Sequence, residues 1–146
     1  MNGCRAIFVA ALLLSGCAAT SRIDDANDET TEMASVTGSV TYRQRIALAP
    51  SAEIKVQLVD VSRADAPAIV LGEQIIDANG RQVPFAFEIP YLADSIEANH
   101  SYAVQARIEV GGRLLFISDQ NYAVITRGAP SHVDMVLKAV GGVHDR

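Results

Sequence analysis

Beyond position 17 the chain has no cysteine: of its 146 residues only Cys4 and Cys17 carry a thiol. A disulfide framework, a cysteine-based metal site and a cysteine nucleophile are therefore excluded from the body of the protein. Tryptophan is absent, aromatic residues make up 5%, and there are three histidines. His100, His132 and His144 are spaced 32 and 12 apart, with no second histidine three or four residues away, so no zinc site is expected. The longest apolar run has nine residues, against roughly twenty for a membrane-spanning helix. There is no G-x-S-x-G, no G-x-G-x-x-G and no P-loop, which leaves elbow-serine acyl transfer and nucleotide binding without a sequence basis. Basic residues are also scarce, with 12 Lys and Arg against 17 Asp and Glu and a net charge of −5. No basic patch stands out, so nucleic acid is not an expected partner. The length suggests one domain.

The apolar run, Ala6 to Leu14, follows a short polar start carrying Arg5. Residues 1–16 read as a secretory signal peptide, because nine apolar residues suit its central region and are too few to span a bilayer. Leu14-Ser15-Gly16-Cys17 resembles the bacterial lipobox. That resemblance implies cleavage between Gly16 and Cys17, a diacylglyceryl thioether on Cys17, and a further acyl group such as palmitate on the new amino terminus. Cysteine suits the position because a thiolate accepts the lipid and holds it as a stable thioether. Two or three acyl chains give durable anchoring where one gives only marginal binding. Ala18 and Ala19 follow, where an Asp would favour inner-membrane retention in the usual Gram-negative sorting rule, so the outer membrane is expected, facing the periplasm.

Residues 17–34 read as the lipidated cysteine and a disordered acidic tether. From Ala18 to Ala34 only six residues are apolar and the net charge is −4, too little apolar area to offset the entropy of ordering. Residues 35–140 hold 53 apolar residues and a net charge near −2, and form the expected globular domain. Residues 141–146 are a polar tail.

Within the domain the dominant period is two. Val36, Gly38, Val40 and Tyr42 alternate with polar neighbours, as do Ile54, Val56 and Leu58, then Val83, Phe85, Phe87 and Ile89. The pattern returns in Tyr102 to Val110 and in Val133, Met135 and Leu137. Such alternation predicts half-buried antiparallel strands. Further strands are expected across Ala68 to Ile76 and across Arg113 to Ile117, the latter continuing through Tyr122 to Thr126. Gly111-Gly112 predicts a two-residue hairpin, and Asp77-Ala78-Asn79-Gly80 a tight turn. Pro90 to Ser101 lacks alternation and is expected to be a loop with a helical turn near Asp94 to Ala98. The expected fold is all-β, a single sandwich of about seven antiparallel strands with Greek-key-like connections.

Catalytic residues, metal ligands and non-covalent cofactors are not expected. Asp77 to Gly80 begins like a calcium loop, but its glycine arrives two residues early and the twelfth position, Glu88, lies within a strand pattern. His100 and His132 are expected to be solvated. Pro84 interrupts an alternating run and marks an edge strand or bulge, where a partner could add a strand or where the proline blocks such pairing. Leu115 and Ile117 belong to a run apolar on both faces, fitting a central strand or an apolar receiving surface. Pro84, Leu115 and Ile117 are thus the candidate partner surface.

Several blocks, in order, resemble the YbaY lipoprotein family: Val36 to Leu48 with Pro50, Val59 to Pro67, Val83 to Tyr91, Tyr102 to Ile108, Gly112 to Phe116 and Thr126 to Arg127-Gly128. They cover nearly all of residues 35–140. The family is grouped with YscW-type lipoproteins, pilotins or chaperones of the outer-membrane secretin in type III secretion. The resemblance implies a β-sandwich lipoprotein at the periplasmic face of the outer membrane that works by protein contact, possible partners including a secretin, with no catalytic residue to carry over. Fold-level grouping is a weak warrant for function, and a lipid-anchored binding module for a small apolar ligand or glycan, beside the Leu114 to Ile117 strand, is the alternative expectation.

Overall fold

A computed structural model describes residues 31–141. The signal peptide, Leu14 to Cys17, most of the tether and the tail beyond Gly141 lie outside the described residues. Eight strands follow in chain order: β1 (Met33–Tyr42), β2 (Ala52–Asp60), β3 (Ile69–Asp77), β4 (Phe85–Leu92), β5 (Tyr102–Val110), β6 (Arg113–Ile117), β7 (Tyr122–Val124) and β8 (His132–Ala139). A single 3-10 turn, Ala93–Ser95, follows β4, slightly earlier than the helical turn expected at Asp94 to Ala98.

The alternation seen in the sequence becomes alternating burial. In β4, Phe85, Phe87, Ile89 and Tyr91 are buried while the residues between them are exposed; Ile54, Val56 and Leu58 of β2 are fully enclosed. The turns also form as their residues dictate. Gly111 and Gly112, with φ of 56° and 79°, join Val110 to Arg113 directly across the β5–β6 hairpin. Asn79 and Gly80, with φ of 48° and 79°, close a turn in which Arg81 N–H donates to the Ala78 carbonyl at 2.8 Å.

The architecture differs from the expected pair of facing antiparallel sheets. The strands form one hydrogen-bonded path, β3-β2-β5-β6-β8-β1-β4, with β7 also on β5. β1 and β8 are parallel, Gly38 opposite Val133 and Val40 opposite Met135. β8 bridges the two halves, pairing with β1 from His132 to Leu137 and with β6 through Lys138 and Ala139. The expected strand from Arg113 to Thr126 is two strands. β7 stops at Val124 because Ile125 takes φ 71°, a region that a β-branched residue rarely enters and that no strand can use. β1 begins at Met33, inside the expected tether, because Met33 and Ala34 pair with Leu92 and Tyr91.

The path curls until its terminal strands meet. Gln74 of β3 accepts from the Glu88 N–H of β4 through its side-chain oxygen at 2.8 Å. A Cβ on Gly72 would lie 2.7 Å from the Pro90 carbonyl oxygen and 2.6 Å from Ile89 Cγ2. This seam leaves a nearly closed, barrel-like sheet around one core. Inside it Tyr42 stacks on Phe116 at 4.2 Å between centroids, 13° between planes. The Tyr42 hydroxyl donates to the Ile46 carbonyl at 2.7 Å, and burial pushes its phenol above the usual value. Where short β6 leaves β8, the Tyr122 hydroxyl accepts from Val136 N–H at 2.9 Å and reaches the Val136 carbonyl at 3.1 Å, satisfying main-chain groups a ladder would otherwise serve.

Gly38 sits between β4 and β8, where an added Cβ would meet the Val133 carbonyl oxygen at 1.8 Å and the Phe87 ring at 2.8 Å. Backbone on one side and a buried ring on the other leave no room to adjust. Gly38→Ala is expected to destabilise the fold by about 2–3 kcal/mol through overpacking, read as a lower urea midpoint; a midpoint at or above that of the unaltered protein would contradict this packing.

Candidate functional site

The described residues hold no cluster of three or more His, Cys, Asp and Glu side chains placed to bind a metal. The buried polar side-chain atoms among them all have hydrogen-bond partners.

The densest polar group gathers at one end of β2. Asp60 Oδ1 accepts from the Ser62 N–H at 2.8 Å and from its hydroxyl at 2.5 Å, and Oδ2 lies 2.7 Å from His100 Nδ1. A carboxylate only accepts, so Nδ1 is the donor in this contact. Nε2 faces Glu97 Oε2 at 3.3 Å. Ser62 Oγ in turn accepts from the Ser101 N–H at 2.8 Å, and Val61 N–H donates to the Ser101 carbonyl at 2.8 Å. The Thr126 hydroxyl donates to the His100 carbonyl at 2.8 Å, and Tyr102 OH accepts from the Glu97 N–H at 2.9 Å.

These bonds form a clasp rather than a catalytic triad. The Ser62 hydroxyl donates to a carboxylate and has no histidine base beside it, so nothing activates it as a nucleophile. The clasp fastens the loop after β4 and the strained Ile125–Arg127 connection to the end of β2. His100, expected to be solvated, is a paired histidine with its side chain 32% exposed; the sequence separation of 40 from Asp60 hid the pairing. His132 does lie outward, 62% exposed, with Nδ1 3.0 Å from the Thr37 hydroxyl.

The three expected partner-surface residues do not come together. Pro84 is exposed in the connection before β4 rather than within a strand. β4 does end the path, as the proline suggested, but its outer margin faces β3 across the seam. Leu115 is half-buried against the core, turned inward by a register shift between β5 and β6. Ile117 is 39% exposed and faces outward, with β8 and β1 between its strand and β4. The cleft beside Ile117, about 280 Å³, is lined by Lys55, Gln57, Gln105 and Arg107, a polar lining rather than an apolar groove.

Exposed apolar side chains collect elsewhere. Ile69 (61%), Met33 (57%), Val70 (49%) and Leu92 (46%) are all open to solvent. Met33 is paired with Leu92. The seam runs antiparallel, Gly72 against Pro90 and Gln74 beside Glu88, which carries Val70 to the level of Leu92. The four therefore form a rim at the end of the seam, next to a cleft of about 330 Å³ lined by Ile69, Pro67, Arg63, Asp60 and His100. Sequence reading missed this rim because it assigned Met33 to the tether and because no local pattern reports that β3 and β4 meet.

Ser62 and His100 hold the Asp60 carboxyl below its ordinary value, the Ser62 hydroxyl contributing most. A carboxyl whose pKa is lower in the folded state stabilises the protein above its unfolded pKa, and that contribution is lost as pH falls through the lower, folded value. Asp60→Ala is expected to cost about 2 kcal/mol at neutral pH, the size of a charged hydrogen-bond group, and the gap to the unaltered protein should narrow below about pH 4. Denaturation midpoints measured from pH 7 to pH 3 check this; a pH-independent gap would mean that the Asp60 charge contributes nothing.

The geometry finds its counterpart among known proteins. The family model described as type III secretion system lipoprotein chaperone (YscW) matches residues 31–137. The Escherichia coli (strain K12) protein named uncharacterized lipoprotein YbaY is 33% identical over 123 residues, covering 84% of this chain. The chain spans 64% of that relative's length. A solved structure, an alternative pilotin from the type II secretion system of Vibrio cholerae, is 51% identical with a TM-score of 0.74, covering 76% of this chain and all of the other. With one family model spanning every strand from β1 to β7 and most of β8, the chain belongs to the YscW family of lipoprotein chaperones.

Proposed function

We propose that the protein is a non-catalytic, lipid-anchored chaperone at the periplasmic face of the outer membrane, holding a segment of a secretin-type envelope protein while that protein reaches or assembles in the membrane. The observation that carries the reading is the likeness, at 51% identity over the whole of that chain, to a pilotin of a type II secretion system. The family description as a secretion-system chaperone points the same way. The densest polar group of the described residues, the Asp60–Ser62–His100 clasp, ties loops to the end of β2. In this reading Cys17 carries the diacylglycerol and N-acyl chains, Leu14, Ser15 and Gly16 present the cleavage site, and Ala18 directs the protein outward.

A pilotin binds its client and also carries it to a membrane, so losing the anchor should separate the two actions. Cys17→Ala is expected to leave client binding intact while moving the client away from the outer membrane. Affinity capture from detergent-solubilised envelopes, with membrane fractionation of unaltered and Cys17→Ala cells, reads both. If no secretin or other envelope protein is reproducibly recovered with either form, the chaperone reading fails. A raised melting temperature with a defined glycan or fatty acid would then favour a small-ligand module.

A further inference from the structure

The rim made by Met33, Ile69, Val70 and Leu92 is the largest gathering of exposed apolar side chains in the described fold; the others, Ile75, Ile117 and Val140, lie apart from it. We propose that this rim rests on the lipid bilayer, its side chains lodged at the boundary between headgroups and acyl chains. The inference depends on the reading that Cys17 is lipidated.

Two observations select a membrane as the occupant. Met33 opens β1, so the chain comes into the fold at the rim itself. Only residues 18–30 separate Cys17 from the described chain. Thirteen residues reach at most about 45 Å, so an anchored Cys17 keeps the rim within that distance of the bilayer. A patch of four side chains is too small to hold a free protein on a membrane, but a tether raises its local concentration to about the millimolar range, where weak interfacial contacts are sustained. The nearby acids Glu32 and Asp94 favour a zwitterionic surface over an anionic one. Orientation follows: the fold stands on the rim, and the outward face carrying Lys55, Arg107 and Ile117 is left free of lipid.

Because the chain contains no tryptophan, a single introduced indole is an unambiguous probe. Full-length protein purified from membranes, with Leu92→Trp, Ile69→Trp or Ile117→Trp, would be reconstituted into phosphatidylethanolamine and phosphatidylcholine vesicles with brominated acyl chains. Ile69 is the more exposed rim position, so it serves if Leu92→Trp does not fold. At least twofold quenching and a blue-shifted emission are expected at the rim, with Ile117→Trp unquenched. Three results would overturn the proposal. Rim probes quenched no more than Ile117→Trp, in protein whose mass shows lipid on Cys17, refute the rim while leaving the anchor intact. Protein without lipid that fails to float with vesicles refutes the anchor and the rim together. Rim emission that responds only to an added secretin segment assigns the surface to a protein.

Discussion

A sheet that is apolar on one face and has no α-helix among the described residues to cover it must bury that face against itself. Val36, Val40, Ile54, Val56, Leu58, Ile89, Val104, Ile108, Phe116, Met135 and Leu137 are all enclosed in one core, and the strands supply most of its walls, with Leu48 and Ala78 added from the connections. Curling satisfies this constraint, and the remaining features follow from it. β8 must serve both halves, so it runs parallel to β1 and then passes to β6. Gly38 must lack a side chain where β1 is pressed between β4 and β8. Tyr42 and Phe116, whose strands are separated by β8, meet face to face in the interior.

Closure is incomplete at the seam, and the incompleteness shapes the surface. β3 and β4 approach without a backbone ladder, joined by the Gln74 side chain and by the close passage of Gly72 beside Pro90. A full ladder would leave two strands matched along their lengths; here the strand ends are left with their side chains open to solvent. Ile69, Val70 and Leu92 are exposed for this reason, and the pairing of Met33 with Leu92 adds a fourth. The clasp around Asp60 stabilises the loops at the same end, so the rim is presented by ordered backbone.

In the proposed reading the protein works by contact, which requires surfaces and not a reactive constellation. Among the described residues, several histidines and carboxylates tie loops and strands together: His100 to Asp60, His132 to Thr37, and Asp119 to Lys138. The Lys138 ammonium keeps the Asp119 carboxyl below its ordinary value, an exposed pair whose charge is spent on local order.

Much of the fold was legible along the chain because strand burial is a local property. Alternation at β1, β2, β4, β5 and β8, and the glycines at 80, 111 and 112, report which residues face inward and where the chain reverses. Strand partners are not local: nothing near Gly38 says that Val133 lies beside it, and nothing near His100 points to Asp60. Two sheets face to face and one sheet nearly closed also use the same alternation, so the pattern could not choose between them. Pro84, Leu115 and Ile117 were singled out by their own neighbourhoods, and for the same reason the sequence does not report that the fold sets them apart. What the sequence by itself determined is an all-β domain with its inward residues, its turns and its family. Only the tertiary structure decided the parallel β1–β8 pair, the seam and the rim, because each depends on contacts between segments whose separation along the chain no periodicity can encode.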